Sequence, residues 1–290
     1  MIETEQACRK LLQAYPQSLV VLNVLGGALS GQSKLKESVQ VFEKAIQVKP
    51  DFINGYYNRG NALKKLGQLD EAVKSYDKAI QLKPDFIDAY RNRGNALNEL
   101  GNLDIALLSY DKAIQLKPDY AEAYNNRGNA LEGLGNLEEA LKSYDKAIEF
   151  KSDYAAAYSN RGVALKALGL VDKAIEDYDK ATQLEPDYAE AYNNKGVALE
   201  ELEQPDKAMQ NFDKAIQLKP DFSEAYNNRG SLHFELGQMN EAMKDYDKAI
   251  QLKPDFINVY YNRGNALKKL GQLDEAVKSY DKAIQLKPDF

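Results

Sequence analysis

The chain of 290 residues holds one cysteine and one histidine. A single thiol, Cys8, forms no internal disulfide, so folding needs no oxidising compartment and a cytoplasmic location is expected. His233 alone builds no histidine-rich zinc or iron site and leaves little room for imidazole catalysis. Basic surplus is also missing: the net charge of −6 and pI near 5.2 argue against a nucleic-acid ligand. The longest apolar stretch, Leu19 to Leu29, is interrupted by Asn23 and falls short of the roughly 20 residues a membrane helix needs. The first residues, Met-Ile-Glu-Thr-Glu-Gln, are acidic where a secretory leader is basic and then apolar. No phosphate-binding glycine loop, dinucleotide fingerprint, zinc-ligand spacing or nucleophile elbow is present. No cofactor, metal, membrane or catalytic activity is therefore expected.

What is there is a period. Pro16, Pro50, Pro84, Pro118, Pro186, Pro220, Pro254 and Pro288 share one register of 34 residues, with Ser152 in the single gap and Pro205 alone outside it. With the proline as position 32, eight units follow: 19–52, 53–86, 87–120, 121–154, 155–188, 189–222, 223–256 and 257–290. Residues 1–18 read as the second half of a ninth. In unit 121–154 the apolar residues Ala123, Tyr124, Ala130, Leu131, Leu134, Leu137, Ala140, Leu141, Tyr144, Ala147 and Ile148 recur at offsets of three, four and seven. Such spacing predicts two amphipathic helices broken at Gly135-Asn136. Asp119 with Glu122, Asp187 with Glu190 and Asp221 with Glu224 read as capping boxes opening the first helix. No two-residue alternation appears, so the fold class is all-α, a solenoid of antiparallel helix pairs.

The unit resembles the tetratricopeptide repeat (TPR). That family has an aromatic at position 4, a small residue at 8, alanine at 20 and 27, an aromatic at 24 and proline at 32. Tyr124, Gly128, Ala140, Ala147, Tyr144 and Pro118 of the preceding unit stand in those places. Departures are Ser38 at position 20, Ser152 at 32 and Glu203 at 15, where other units have the turn glycine. The resemblance implies a right-handed superhelix whose first helices line a concave groove, facing it with positions 2, 5, 6, 9 and 12. Glycines at position 8, such as Gly60 and Gly128, are expected to let the two helices of a hairpin approach closely.

Position 6 is asparagine in seven successive units: Asn58, Asn92, Asn126, Asn160, Asn194, Asn228 and Asn262. Position 9 adds Asn61, Asn95 and Asn129. A carboxamide pairs with the C=O and N–H of a peptide unit together, so a row of them suits an extended chain of any side-chain sequence. The row resembles the asparagine ladder in the TPR region of O-GlcNAc transferases, which grips peptide backbones. Under the other reading these asparagines satisfy helix or inter-repeat groups. Chaperone-binding TPR domains hold a C-terminal carboxylate with lysine and arginine at positions 5, 2 and 6. Here position 2 is mostly acidic (Asp88, Glu122, Glu190, Glu224) and position 6 never holds arginine, so chaperone tails are not expected partners. Glu132 and Glu200 add acid to the groove, while Lys64, Lys65, Lys268 and Lys269 place basic spots toward its two ends.

Position 7 carries Arg59, Arg93, Arg127, Arg161, Arg229 and Arg263, with Lys195 once, and position 25 is almost always aspartate. These are expected to pair between neighbouring helices. His233 stands at a leucine position and reads as a packing residue, and Cys8 as a small core residue. Residues 53–86 and 257–290 differ only at Gly55 and Val259, which points to duplication. With the last unit ending at Phe290, an uncovered seam is expected there, from a fragment of a longer protein or from end-to-end self-association. The function expected is a non-enzymatic scaffold binding an extended peptide or disordered protein segment along the groove. The alternatives are the N-terminal substrate-recognition region of a larger enzyme such as a glycosyltransferase, and a self-assembling structural solenoid.

Overall fold

The computed structural model describes residues 1–287. Pro288 and Phe290, on which the end of the last unit was placed, lie outside the described residues. Among the described residues there are seventeen α-helices and no strand, divided between two compact units. The first unit, Met1–Ser152, holds α1 (Ile2–Ala14), α2 (Leu19–Gly31), α3 (Leu35–Val48), α4 (Ile53–Lys65), α5 (Leu69–Leu82), α6 (Ile87–Glu99), α7 (Leu103–Leu116), α8 (Ala121–Gly133) and α9 (Leu137–Phe150). The second, from Asp153 onward, holds α10 (Ala155–Ala167), α11 (Val171–Leu184), α12 (Ala189–Glu201), α13 (Pro205–Leu218), α14 (Ser223–Glu235), α15 (Met239–Leu252), α16 (Ile257–Lys269) and α17 (Leu273–Leu286). From α2 on, even-numbered helices are the first of a pair and odd-numbered ones the second. Within each unit every helix packs on the next in sequence.

The helix starts depart from the sequence reading. Helix α8 opens at Ala121 with Tyr120 as its N-cap, and no side chain caps it. Tyr188 and Phe222 hold the same place before α12 and α14. The capping boxes Asp119–Glu122, Asp187–Glu190 and Asp221–Glu224 are thus not formed, because the aspartate lies one residue too early. The aromatic at position 34 takes the cap, with φ near −80° and ψ near 85°.

The turn inside each hairpin follows from glycine. Gly67 has φ 73°, the Gln68 N–H donates to the Leu63 carbonyl at 3.0 Å, and the Gly67 N–H to that of Lys64 at 3.0 Å. A left-handed residue closing such bonds is the ordinary glycine stop of a helix. Glu203 at φ 56° and Ser33 at φ 60° make the same turn without glycine. An L side chain there costs roughly 1–2 kcal/mol.

The core is built from position 24 against position 8. A Cβ on Gly60 would lie 2.6 Å from Tyr76 Cε1, and one on Gly128 2.4 Å from Tyr144 Cε1. The rings of Tyr76, Tyr110, Tyr144, Tyr178 and Tyr246 fill this space and are fully buried, with Phe42 and Phe212 in the same role. Burying such a ring stabilises by about 2–3 kcal/mol, and alanines at positions 20 and 27, such as Ala72 and Ala79, let it in. Cys8 is buried against Leu25 and Leu29, as a small core residue should be.

Candidate peptide-binding face

The first helices bring the asparagines into rows. Asn58, Asn61, Asn92, Asn95 and Asn126 are partly exposed on α4, α6 and α8, and Asn129 is exposed. In the second unit Asn160, Asn194, Asn228 and Asn262 are partly exposed on α10, α12, α14 and α16. Neighbouring rows are stitched together. Asn58 Nδ2 donates to Asn23 Oδ1 at 2.9 Å, Asn92 Nδ2 to Asn61 Oδ1 at 2.9 Å, and Asn126 Nδ2 to Asn95 Oδ1 at 2.8 Å. In the second unit Asn228 Nδ2 donates to Asn193 Oδ1 and Asn262 Nδ2 to Asn227 Oδ1, both at 3.0 Å. The position-9 oxygens also accept from the core: Tyr76 Oη donates to Asn61 Oδ1 and Tyr144 Oη to Asn129 Oδ1, each at 2.8 Å.

Asn92 also donates to Tyr57 Oη at 3.0 Å and Asn262 to Ser231 Oγ at 3.3 Å, so both N–H groups of these two are spent. Asn58 keeps a second N–H, and at Asn58 and Asn92 the oxygen has no partner among the described residues. Asn194 makes no side-chain hydrogen bond among the described residues. The repeat before it carries Val163 at the position where Asn61 and Asn95 accept in the first unit. In the first unit these asparagines line a cavity of about 780 Å³, bounded by Asn23, Asn58, Asn61, Asn92 and Asn95, by the cations Lys64, Lys65 and Arg91, and by Tyr76. A smaller cavity of about 180 Å³ continues from it, sharing Lys64 and Asn95 and reaching Asn98, Asn126 and Asn129.

The acids at position 2 pair within their own repeats. Glu190 Oε1 lies 2.7 Å from Lys219 Nζ, Glu224 Oε1 3.1 Å from Lys253 Nζ, and Glu122 Oε1 3.5 Å from Lys151 Nζ. Partial burial opposes ionisation of Glu190 and Glu224, but the lysine hydrogen bonds hold both below the usual carboxylate range. At position 12 the direction is opposite. Burial raises Glu132, against the hydrogen bond from Tyr144 Oη, and burial together with the Glu235 charge pushes Glu200 up to about 7. The same lysines that hold the position-2 acids cover the capping aromatics: Lys219 Nζ lies 4.7 Å from the Phe222 ring centre and Lys253 Nζ 5.0 Å from that of Phe256.

Behind this face, position 7 forms the expected pairs and more. Arg93 Nε donates to Asp77 Oδ1 at 2.6 Å and its Nη1 to Ser109 Oγ at 2.7 Å. Arg127 does the same with Asp111 and Ser143, and Arg263 with Asp247 and Ser279. Each guanidinium thus joins the second helix of the preceding repeat to that of its own. Arg229 meets aspartate on both sides, Asp213 at 2.6 Å and the buried Asp245 at 2.7 Å. Lys195 pairs with Asp179. Sequence reasoning missed the position-23 serine or aspartate, though its constant spacing of 16 from the arginine was there to be read. His233 is more than a packing residue: its Nδ1 lies 2.5 Å from Gln238 Oε1 and its Nε2 3.8 Å from Asp245 Oδ2.

Among the described residues no helix is long and apolar enough to cross a membrane. Nor do three or more His, Cys, Asp or Glu side chains gather there as a metal site would require.

No curated protein matches the sequence. Many solved structures share its fold. A tetratricopeptide repeat protein from Parabacteroides merdae is 20% identical, covering 87% of this chain and 99% of its own, with a TM-score of 0.72. A chain of the APC/C hetero-tetramer Cut9–Hcn1 is 17% identical over 92% of this chain, which spans about half (52%) of that one, with a TM-score of 0.71. At these identities the likeness speaks for the fold alone. YrrB, a TPR protein with an unusual peptide-binding site, is 28% identical over 62% of this chain and 93% of its own, but superposes loosely at a TM-score of 0.47. A family model described as TPR repeat matches residues 28–67, 60–101, 94–135, 133–169 and 230–271. Models described as tetratricopeptide repeat match 155–188, 189–222 and 257–290, and 211–244. With those matches running from residue 28 to residue 290 over hairpins of this construction, the chain belongs to the tetratricopeptide repeat family.

Proposed function

We propose that the protein is a non-catalytic interaction scaffold that binds an extended peptide or a disordered protein segment along the face of its first helices. The observation that carries this reading is the state of the asparagines. Asn58 and Asn92 each spend an N–H on a neighbouring repeat yet keep an acceptor oxygen without a partner, at the edge of a cavity of about 780 Å³. A backbone laid across them gains about 1 kcal/mol net for each hydrogen bond, so useful affinity needs several repeats at once. The hydrogen bonds between repeats support the structural reading as well, and the two are compatible. An amide held through its N–H groups is preoriented for a ligand that donates to its oxygen.

The test is a selection of random twelve-residue peptides on the full chain, followed by binding of the winners to an Asn58→Ala/Asn92→Ala variant whose helicity has been checked. Affinity falling about tenfold or more in the variant is the expected result. Winners that bind the variant equally well place the binding surface elsewhere.

A further inference from the structure

The cavity of the first unit carries a charge pattern that backbone recognition alone leaves unexplained. Three cations line it, Lys64, Lys65 and Arg91, and no carboxylate does. This stands out in a chain whose net charge is −6. Lys64 is committed elsewhere, at 2.6 Å from Glu99 Oε1. Lys65 is exposed and makes no ion pair among the described residues. Arg91 is held loosely: its Nη2 lies 3.8 Å from Asp88 Oδ1, and its guanidinium stands 5.7 Å from the Tyr120 ring centre. Asp88 is itself occupied by the Tyr120 hydroxyl, which donates to it at 2.8 Å. Arg91 Nε is buried and has no hydrogen-bond partner. The guanidinium that lines the cavity therefore has hydrogen-bonding capacity not spent within the protein, which an incoming carboxylate would take up through its accessible N–H groups.

We propose that this cavity is an acid-selective subsite, in which Arg91 and Lys65 receive an aspartate or glutamate side chain of the bound segment while Asn58 and Asn92 hold the backbone beside it. The inference rests on the peptide-binding reading above and adds the chemistry of the ligand. A side chain is chosen over a chain terminus because the cavity does not close at the cations. It continues through Lys64 and Asn95 into the second cavity, which reaches Asn98, Asn126 and Asn129 and whose one carboxylate, Glu99, is paired with Lys64. A segment that runs on has its carboxylates on side chains.

The experiment uses the full chain and three labelled ten-residue peptides with both ends blocked, alternating glycine with aspartate, with asparagine or with lysine. The aspartate peptide is expected to bind at least about tenfold tighter than the asparagine peptide at low salt, with the difference shrinking at high salt. Arg91→Gln should remove most of that preference. Lys65→Glu, on an exposed side chain that bears on no packing, should weaken the aspartate peptide and strengthen the lysine one. Equal binding of aspartate and asparagine peptides, lost in Asn58→Ala/Asn92→Ala, overturns the acid preference and leaves backbone recognition standing. Binding by none of the three overturns both. A preference unchanged by Arg91→Gln and Lys65→Glu, or one that appears only when the C-terminal carboxylate is left free, overturns the proposal as well.

Discussion

Residues 53–86 and 257–290 differ at one position, yet their surroundings differ widely. Helices α5 and α17 have the same fourteen residues. On α5, Leu69 and Val73 pack into clusters with Leu63, Tyr76 and Ala96, because α6 lies over them. On α17 the counterparts Leu273 and Val277 are 60% and 55% exposed, and Ile284 is 49% exposed. Local sequence therefore sets the hairpin, while burial comes from the next repeat, as nearest-neighbour stability in an array requires. The groove follows the same rule. Lys65 lines one cavity with Arg91 and makes no ion pair among the described residues, whereas its twin Lys269 lies 4.9 Å from the Phe234 ring centre of the repeat before it.

The comparison can be pressed hardest with a charge. Val73→Asp should cost about 1–3 kcal/mol, by placing a carboxylate at a partly buried site under α6, and Val277→Asp should change stability by less than about 0.5 kcal/mol. Native-state hydrogen exchange, read repeat by repeat, separates the two where a single melting curve would blend them. Equal effects would mean that α17 is covered in solution. Glycine gives a finer test. A Cβ on Gly60 or on Gly264 meets a tyrosine ring at 2.6 or 2.4 Å. Tyr76 is fully buried, but Tyr280 is partly exposed and has room to swing aside. Gly60→Ala should therefore lose about 1–2 kcal/mol to overpacking, while Gly264→Ala gains a little from helix propensity.

Position 12 holds Lys64 and Lys268 in the twins but Glu200 between them in sequence. Because Glu200 is raised to about 7, the fold favours its protonated form. That contribution is complete below the ordinary carboxylate range and is lost as pH rises through about 7. Glu200→Gln should accordingly raise the melting temperature near about pH 8 and leave it unchanged below about pH 5. A variant that destabilises at every pH would contradict this. A small gain is expected at the one position where the twins differ. Val259 is buried with Ile250 and Phe256 beside it, the counterparts of Ile46 and Phe52 around Gly55. Gly55→Ala should thus stabilise by about 0.5–1 kcal/mol, Phe52 shifting as Phe256 has done.

Much of this was legible in the sequence because the chain repeats itself. The helix pairs, the fit of glycine at position 8 to the aromatic at 24, and the cation–acid pairs between positions 7 and 25 all follow from spacing. The helix starts did not, since aspartate two residues before a helix looks like a cap until the backbone shows the aromatic in that place. The acids at position 2 were tied to that mistaken cap, and their true partners, lysines 29 residues on, come close only through the fold of the hairpin. The cluster at Arg91 was harder still. It joins position 13 of one repeat to position 5 of the next, and its defining feature, an N–H without an acceptor, is a property of packing.

The arginine of position 7 reaches 16 residues back to one helix and 16 forward to another. Remove one whole repeat between two such arginines and the new neighbours meet with the same charges at the same spacing. Crossing-over between near-identical stretches of the gene therefore yields a shorter or longer chain with no orphaned ion at the join. At Arg229 one guanidinium stands between two aspartates, so a repeat that brought serine to that join would leave it one carboxylate fewer.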